Sequence, residues 1–105
     1  MMEIKIVKVT GSFAENKDSA RDIRVTKIVP ALEKKEKIIL DFEGIEGATQ
    51  SFIHALISDL LRKYGNNILD RIAFKSCNET IKKIIDIVVD YMQEGMGIET
   101  DDANH

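Results

Sequence analysis

The chain has 105 residues, 44% of them hydrophobic and 31% charged, with a net charge of −3. This is the length and balance of one globular domain with a single core, and it excludes a disordered polyelectrolyte and a strongly basic nucleic-acid binder. One cysteine and two histidines, His54 and His105, exclude a disulfide framework and a Cys- or His-rich metal site, so no metal and no other cofactor is expected.

No apolar run approaches the ~20 residues of a bilayer span. Glu3, Lys5 and Lys8 interrupt the N-terminal stretch, which therefore does not read as a signal peptide. A cytoplasmic protein with no membrane contact is expected. The acids are unevenly placed: Asp86, Asp90, Glu94, Glu99, Asp101 and Asp102 follow Lys83, with no Lys or Arg among them. The rest of the chain is net basic. The expected organisation is one domain over 1–94 and a disordered acidic tail over 95–105.

In chain order, Glu3–Val9 is β-rich and alternates apolar with charged residues, which predicts an exposed, edge-like strand. Thr10–Ser12 breaks it, and Phe13 is expected to anchor the loop in the core. Thr10–Ala14 is a candidate extra strand. A helix is predicted from Lys17 or Asp18, with acids suited to its N-terminal end. Val25, Ile28, Val29 and Leu32 fall on one stripe, and Pro30 predicts a kink or an early end. Glu33–Glu36 reads as a solvated connection.

Lys37–Phe42 is the strongest strand. Ile38, Ile39 and Leu40 run without alternation, as in a strand covered on both faces. A turn follows over Glu43–Gly47, then a helix from Thr49 to Tyr64. Its apolar face is Phe52, Ile53, Leu56, Ile57, Leu60, Leu61 and Tyr64. His54, Ser58, Asp59, Arg62 and Lys63 lie opposite, and Gly65 is the stop. Arg71–Phe74 is a third strand. Ser76 and Glu79 have capping-box spacing. The last helix carries Ile81, Ile85, Val88 and Met92 on one stripe, with Ile84, Ile87 and Tyr91 beside it, and should end before Gly95. The order β-α-β-α-β-α predicts a small α/β domain with a mostly parallel central sheet and alternating helices. The direction of the first strand is left open.

Few motifs carry chemistry. Gly44-x-x-Gly47 has the spacing of an RNA-binding loop, but it follows a strand and holds Glu46, so it reads as a tight turn. No phosphate-binding glycine motif is present, and no nucleic-acid partner is expected. Ser51 and His54 lie one helical turn apart, yet Asp59 is about 140° away on the helix surface, so no nucleophile–base–acid series forms. Cys77, at the start of the last helix, is either a thiol with a dipole-lowered pKa or a small residue at a buried junction. Asp41–Ser51 is the most informative segment, since it joins the carboxyl end of a strand to a helix start. Thr49 as N-cap puts Gln50 and Ser51 at the first helical positions, where free amides favour an anion. A phosphate on Ser51 or Thr49 would be tolerated there.

The run from Lys37 to Arg62 resembles the family of STAS-like domains of unknown function. That family pairs an LDF-x-G-V strand and turn with a QSF helix start. Here these are Leu40-Asp41-Phe42-Glu43-Gly44-Ile45 and Gln50-Ser51-Phe52. Gly11-Ser12-Phe13-Ala14 and Ser19-Ala20-Arg21 match its N-terminal pattern, and the resemblance extends over about Glu3 to Met92. More distantly, the chain is similar to the STAS domains of bacterial anti-sigma factor antagonists. Those bind a histidine-kinase-like ATPase that phosphorylates a serine at the start of the second helix. At the corresponding Thr49-Gln50-Ser51-Phe52, Gln50 holds the usual acceptor position and only Ser51 remains of the serine pair.

The resemblance implies a non-catalytic regulatory protein-interaction module in prokaryotic signalling, not an enzyme. It implies a protein partner, a histidine-kinase-like ATPase. The expected partner-binding and candidate phospho-acceptor residues are Glu43, Glu46, Thr49, Gln50, Ser51 and His54. The alternative is a small-ligand or nucleotide-binding domain that uses the same edge near Asp41–Ser51. The oligomeric state is left open.

Overall fold

The computed structural model describes the backbone of residues 1–102 and the side chains of residues 1–93. Strand β1 (Met2–Lys5), the short helix α1 (Val7–Thr10) and strand β2 (Phe13–Ala14) open the chain. Helix α2 (Lys17–Ile23), a π-helical turn (Arg24–Ile28) and helix α3 (Val29–Glu33) lead to β3 (Ile38–Asp41). Strand β4 (Gly47–Ala48) and helix α4 (Gln50–Tyr64) follow. A 3-10 helix (Asn66–Arg71), strand β5 (Ile72–Lys75) and helix α5 (Glu79–Asp102) complete the order.

The main sheet has the order β1-β3-β5, all parallel. Each crossover steps one strand further in the same direction. Right-handed connections then place the connecting helices on the same face. The register bears this out. Met2, Ile38 and Ile72 align on one face with Ile4, Leu40 and Phe74. Of these, Ile4, Ile38, Leu40 and Ile72 are buried. The other face carries Glu3, Ile39 and Ala73, then Lys5, Asp41 and Lys75. Here Glu3, Lys5, Ala73 and Lys75 are exposed and Ile39 is half-buried. The unbroken Ile38-Ile39-Leu40 run therefore does not mark a strand covered on both faces: Ile39 sits on the open one.

Several local expectations are corrected. The first strand ends at Lys5 and not at Val9, because its partner β3 ends at Asp41. Ile6 N–H makes the last rung, to the Asp41 carbonyl at 3.0 Å, and the backbone then turns helical. Phe13 is 52% exposed and anchors nothing in the core. Its ring instead lies over Gly47, where a Cβ would meet it at 2.5 Å. The strand sought in Thr10–Ala14 is Phe13–Ala14, paired in parallel with Gly47–Ala48.

Pro30 neither ends nor sharply breaks its helical run, which continues to Glu33. It lies in the first turn of α3, and the preceding turn is widened: Val29 N–H bonds to the Arg24 carbonyl, five residues back. One extra residue in the turn rotates the helix face. The buried positions become Ile23 and Ile28, five apart, and Val25 is turned out to 52% exposure.

Helix α4 buries Phe52, Ile53, Leu56, Ile57, Leu60 and Leu61 as expected, and also Ser58, which sequence placed on the polar side. It packs between α2 and α5. Helix α5 buries Ile81, Ile85, Val88 and Met92. Its cap is Asn78, whose Oδ1 accepts from Ile81 N–H at 2.9 Å. Ser76 has φ +58 and lies outside the helix, so the Ser76–Glu79 capping box does not form. The helix continues to Asp102, past the expected end before Gly95. The expected disordered acidic tail over 95–105 falls on side chains outside those described. Among the described residues, no helix is long and apolar enough to cross a membrane.

Candidate functional site

The site grows from the end of β3. Asp41 is 2% exposed, and its carboxylate starts the turn that follows. Oδ1 accepts from Glu43 N–H at 2.9 Å, and Oδ2 lies 3.3 Å from Lys5 Nζ. The Glu43 amide holds the Asp41 pKa below its ordinary value, with help from Lys5 and Lys75 and against the effect of burial. Asp41 therefore acts as an ionised staple between β1, β3 and the turn.

The turn is held along its length. Ile45 N–H bonds to the Phe42 carbonyl at 3.0 Å, and Glu46 N–H to the Ser12 carbonyl at 2.7 Å. From the other side, Asn78 Nδ2 donates to the Glu46 carbonyl at 3.1 Å. Gly44 has φ +86, with Val7 packed where a side chain would begin. The backbone is fixed while the Glu43 and Glu46 side chains stay exposed.

The chain then pairs through β4 with β2, so α2 and α4 start from adjacent strands. Thr49 N–H bonds to the Ala14 carbonyl at 3.0 Å. Thr49 is the N-cap of α4, its Oγ1 accepting from Phe52 N–H at 3.1 Å. Asn16 caps α2 in the same way, accepting from Asp18 and Ser19. Between the two helix starts lies an open groove of about 430 Å³ lined by Lys17, Gln50, Ser51, His54 and Ala55.

The structure thus divides the expected site residues. Gln50, Ser51 and His54 come together in the groove. Thr49 is half-buried and committed to capping. Glu43 and Glu46 sit on the preceding turn and do not line the groove. Sequence reasoning missed Lys17, the one charged side chain of the lining among the described residues. The available signal was the Asn16 cap together with the pairing of Ala14 with Ala48, which brings the two helix starts side by side. The His54 ring faces Tyr91 of α5, with centroids 6.4 Å apart. Asp59 is occupied elsewhere: it pairs with Arg24 at 3.2 Å and Arg62 at 2.8 Å, and so does not orient His54. Cys77 precedes α5, and burial pushes its thiol pKa up, so the dipole-activated reading gives way to the junction residue. Among the described residues no three His, Cys, Asp or Glu side chains gather to hold a metal.

Chemically, the groove offers the first amides of α4, which lack intrahelical acceptors, beside one ammonium and one hydroxyl. Such an arrangement can accept a carboxylate or a phosphate, and the exposed Glu43 and Glu46 lie on the turn that precedes it in the chain.

The chain belongs to the family described as STAS-like domain of unknown function (DUF4325), whose profile matches residues 19–82, more than half the chain. The matched span contains the whole turn and the start of α4, but not Lys17. No curated protein and no solved structure matches the chain.

Proposed function

We propose that this chain is a non-catalytic regulatory protein-interaction module of prokaryotic, cytoplasmic signalling. Its partner is a histidine-kinase-like ATPase. The contact surface is the Glu43–Gly47 turn with the first two turns of α4. The observation that carries this reading is the fixed presentation of that edge. The turn backbone is bonded to Ser12 on one side and Asn78 on the other, yet Glu43, Glu46, Gln50 and Ser51 are exposed. A preordered edge loses little conformational entropy on docking.

Ser51 is the candidate phospho-acceptor. A phosphate there adds about −1.5 to −2 charge at a helix start, beside Lys17, and changes the sign of the groove. Capture from native lysate tests the reading with parent chain, Ser51→Asp and Glu43→Lys/Glu46→Lys, each first shown to be folded. A histidine-kinase-like ATPase recovered by the parent and lost by at least one variant supports it. Equal recovery by all three contradicts it.

The groove volume favours one second reading, since about 430 Å³ is enough for a small anionic ligand or nucleotide. A thermal-shift series with nucleotides separates the two. A ligand at 100 times its Kd stabilises by roughly 2.7 kcal/mol.

A further inference from the structure

Strand β1 is an end strand of the main sheet. Its even-numbered residues face β3: Met2 N–H bonds to the Lys37 carbonyl at 2.8 Å and Ile6 N–H to the Asp41 carbonyl at 3.0 Å. By the alternation of a parallel ladder, the backbone N–H and C=O groups of Glu3 and Lys5 point outward from the sheet. A cleft of about 340 Å³ lies along this edge, lined by Glu3, Ile4, Lys5, Lys8, Val9 and Lys27. Lys5 and Glu3 have partners in Asp41 and Lys75. Among the described residues, Lys8 and Lys27 have no carboxylate within ion-pair distance. Val9 adds an apolar rim, 41% exposed.

We propose that β1 is a docking edge for an extended acidic segment of a partner protein. The segment adds as a fourth strand and sets its carboxylates against Lys8 and Lys27. Backbone pairing with Glu3 and Lys5 supplies the binding, the two lysines select the sign of the partner, and Val9 contacts its apolar side chains. This surface shares no residue with the turn and groove above, so the two proposals stand or fall separately.

Charge decides among the occupants. Two copies pairing antiparallel about Ile4 would set Glu3 of one against Lys5 of the other. That contact is favourable, but it leaves Lys8 and Lys27 of both copies without a carboxylate, which an acidic segment supplies. The opposite edge, β5, is no better for self-pairing. Centred on Ala73, it sets Arg71 against Lys75. A nucleic acid would find no aromatic ring in the cleft on which to stack a base.

Fluorescence anisotropy on the full chain tests this with two labelled peptides: an extended Val/Thr hexapeptide with Glu at alternate positions, and its Lys counterpart. The Glu peptide should bind, more weakly as salt rises, with the Lys peptide roughly tenfold weaker or worse. Lys8→Glu/Lys27→Glu should reverse that order while melting like the parent. Amide exchange should slow at Glu3 and Lys5 and stay unchanged at Gln50–His54. The proposal is overturned if the Glu peptide does not bind, if both peptides bind equally, or if protection falls elsewhere. It is also overturned if the chain dimerises through β1, or if a single-stranded oligonucleotide binds this edge more tightly than the Glu peptide.

Discussion

Lys5 and Asp41 lie opposite each other at the carboxyl ends of adjacent parallel strands, with Nζ 3.3 Å from Oδ2. The second carboxylate oxygen takes the Glu43 amide, so one buried side chain closes the sheet and opens the turn. Because the Asp41 pKa is lowered on folding, its stabilisation is present above the unfolded value near 3.8. It is lost as pH falls through the lower folded value. Asp41→Asn should therefore melt below the parent at neutral pH, with a gap that closes under acid conditions. Melting curves across this range check the sign. A gap that widens on acidification contradicts it.

The π-helical turn makes a sharp distinction between two neighbours. Ile28 is fully buried, while Val25 is turned to solvent. Ile28→Ala should cost about 2–5 kcal/mol, and Val25→Ala no more than about 0.5 kcal/mol. Urea unfolding measures both. Equal losses would restore the regular stripe and remove the widened turn.

Leu56 and Ile85 sit on the buried faces of α4 and α5, 0% and 6% exposed. Each change to Ala should cost about 2–5 kcal/mol. A variant that melts within a degree or so of the parent would show that its helix face is wrongly assigned.

Gly44 holds φ +86 with Val7 against it. Gly44→Ala should lose about 1–2 kcal/mol, since L side chains disfavour that conformation. Equilibrium unfolding gives the number, and an unchanged midpoint would mean that the turn relaxes freely.

The Tyr64 hydroxyl is buried without a hydrogen-bond partner among the described residues. An unsatisfied buried polar group costs about 1–3 kcal/mol, so Tyr64→Phe should stabilise the fold by up to ~1 kcal/mol. A clear loss would show that the hydroxyl is bonded.

The fold was legible wherever local chemistry decided it. Thr49 caps, Gly65 stops and the apolar face of α4 are set by neighbours a few residues away, and the parallel sheet follows from element order. Misreadings arose where a distant partner decided. Nothing near Val9 says that β3 stops at Asp41, and nothing in Ile38-Ile39-Leu40 says that both crossovers lie on one face. Phe13 looks like a core residue until Gly47 gives its ring an exposed seat. At the site, Gln50, Ser51 and His54 were legible from helix spacing, whereas Lys17 required the pairing of β2 with β4. Ser76 lost the cap to Asn78, which also reaches the Glu46 carbonyl and so serves two elements at once.

The proposed interface is the turn and the start of α4. Site-specific photo-crosslinking tests it most directly, with benzoylphenylalanine replacing Gln50, Lys63 or Ile87 in turn in native lysate. Gln50 lies on the proposed edge, Lys63 at the far end of α4, and Ile87 on the exposed flank of α5. A crosslinked histidine-kinase-like ATPase is expected from the Gln50 position and none from the other two. Crosslinks from Ile87 with none from Gln50 would contradict it and move the interface to α5.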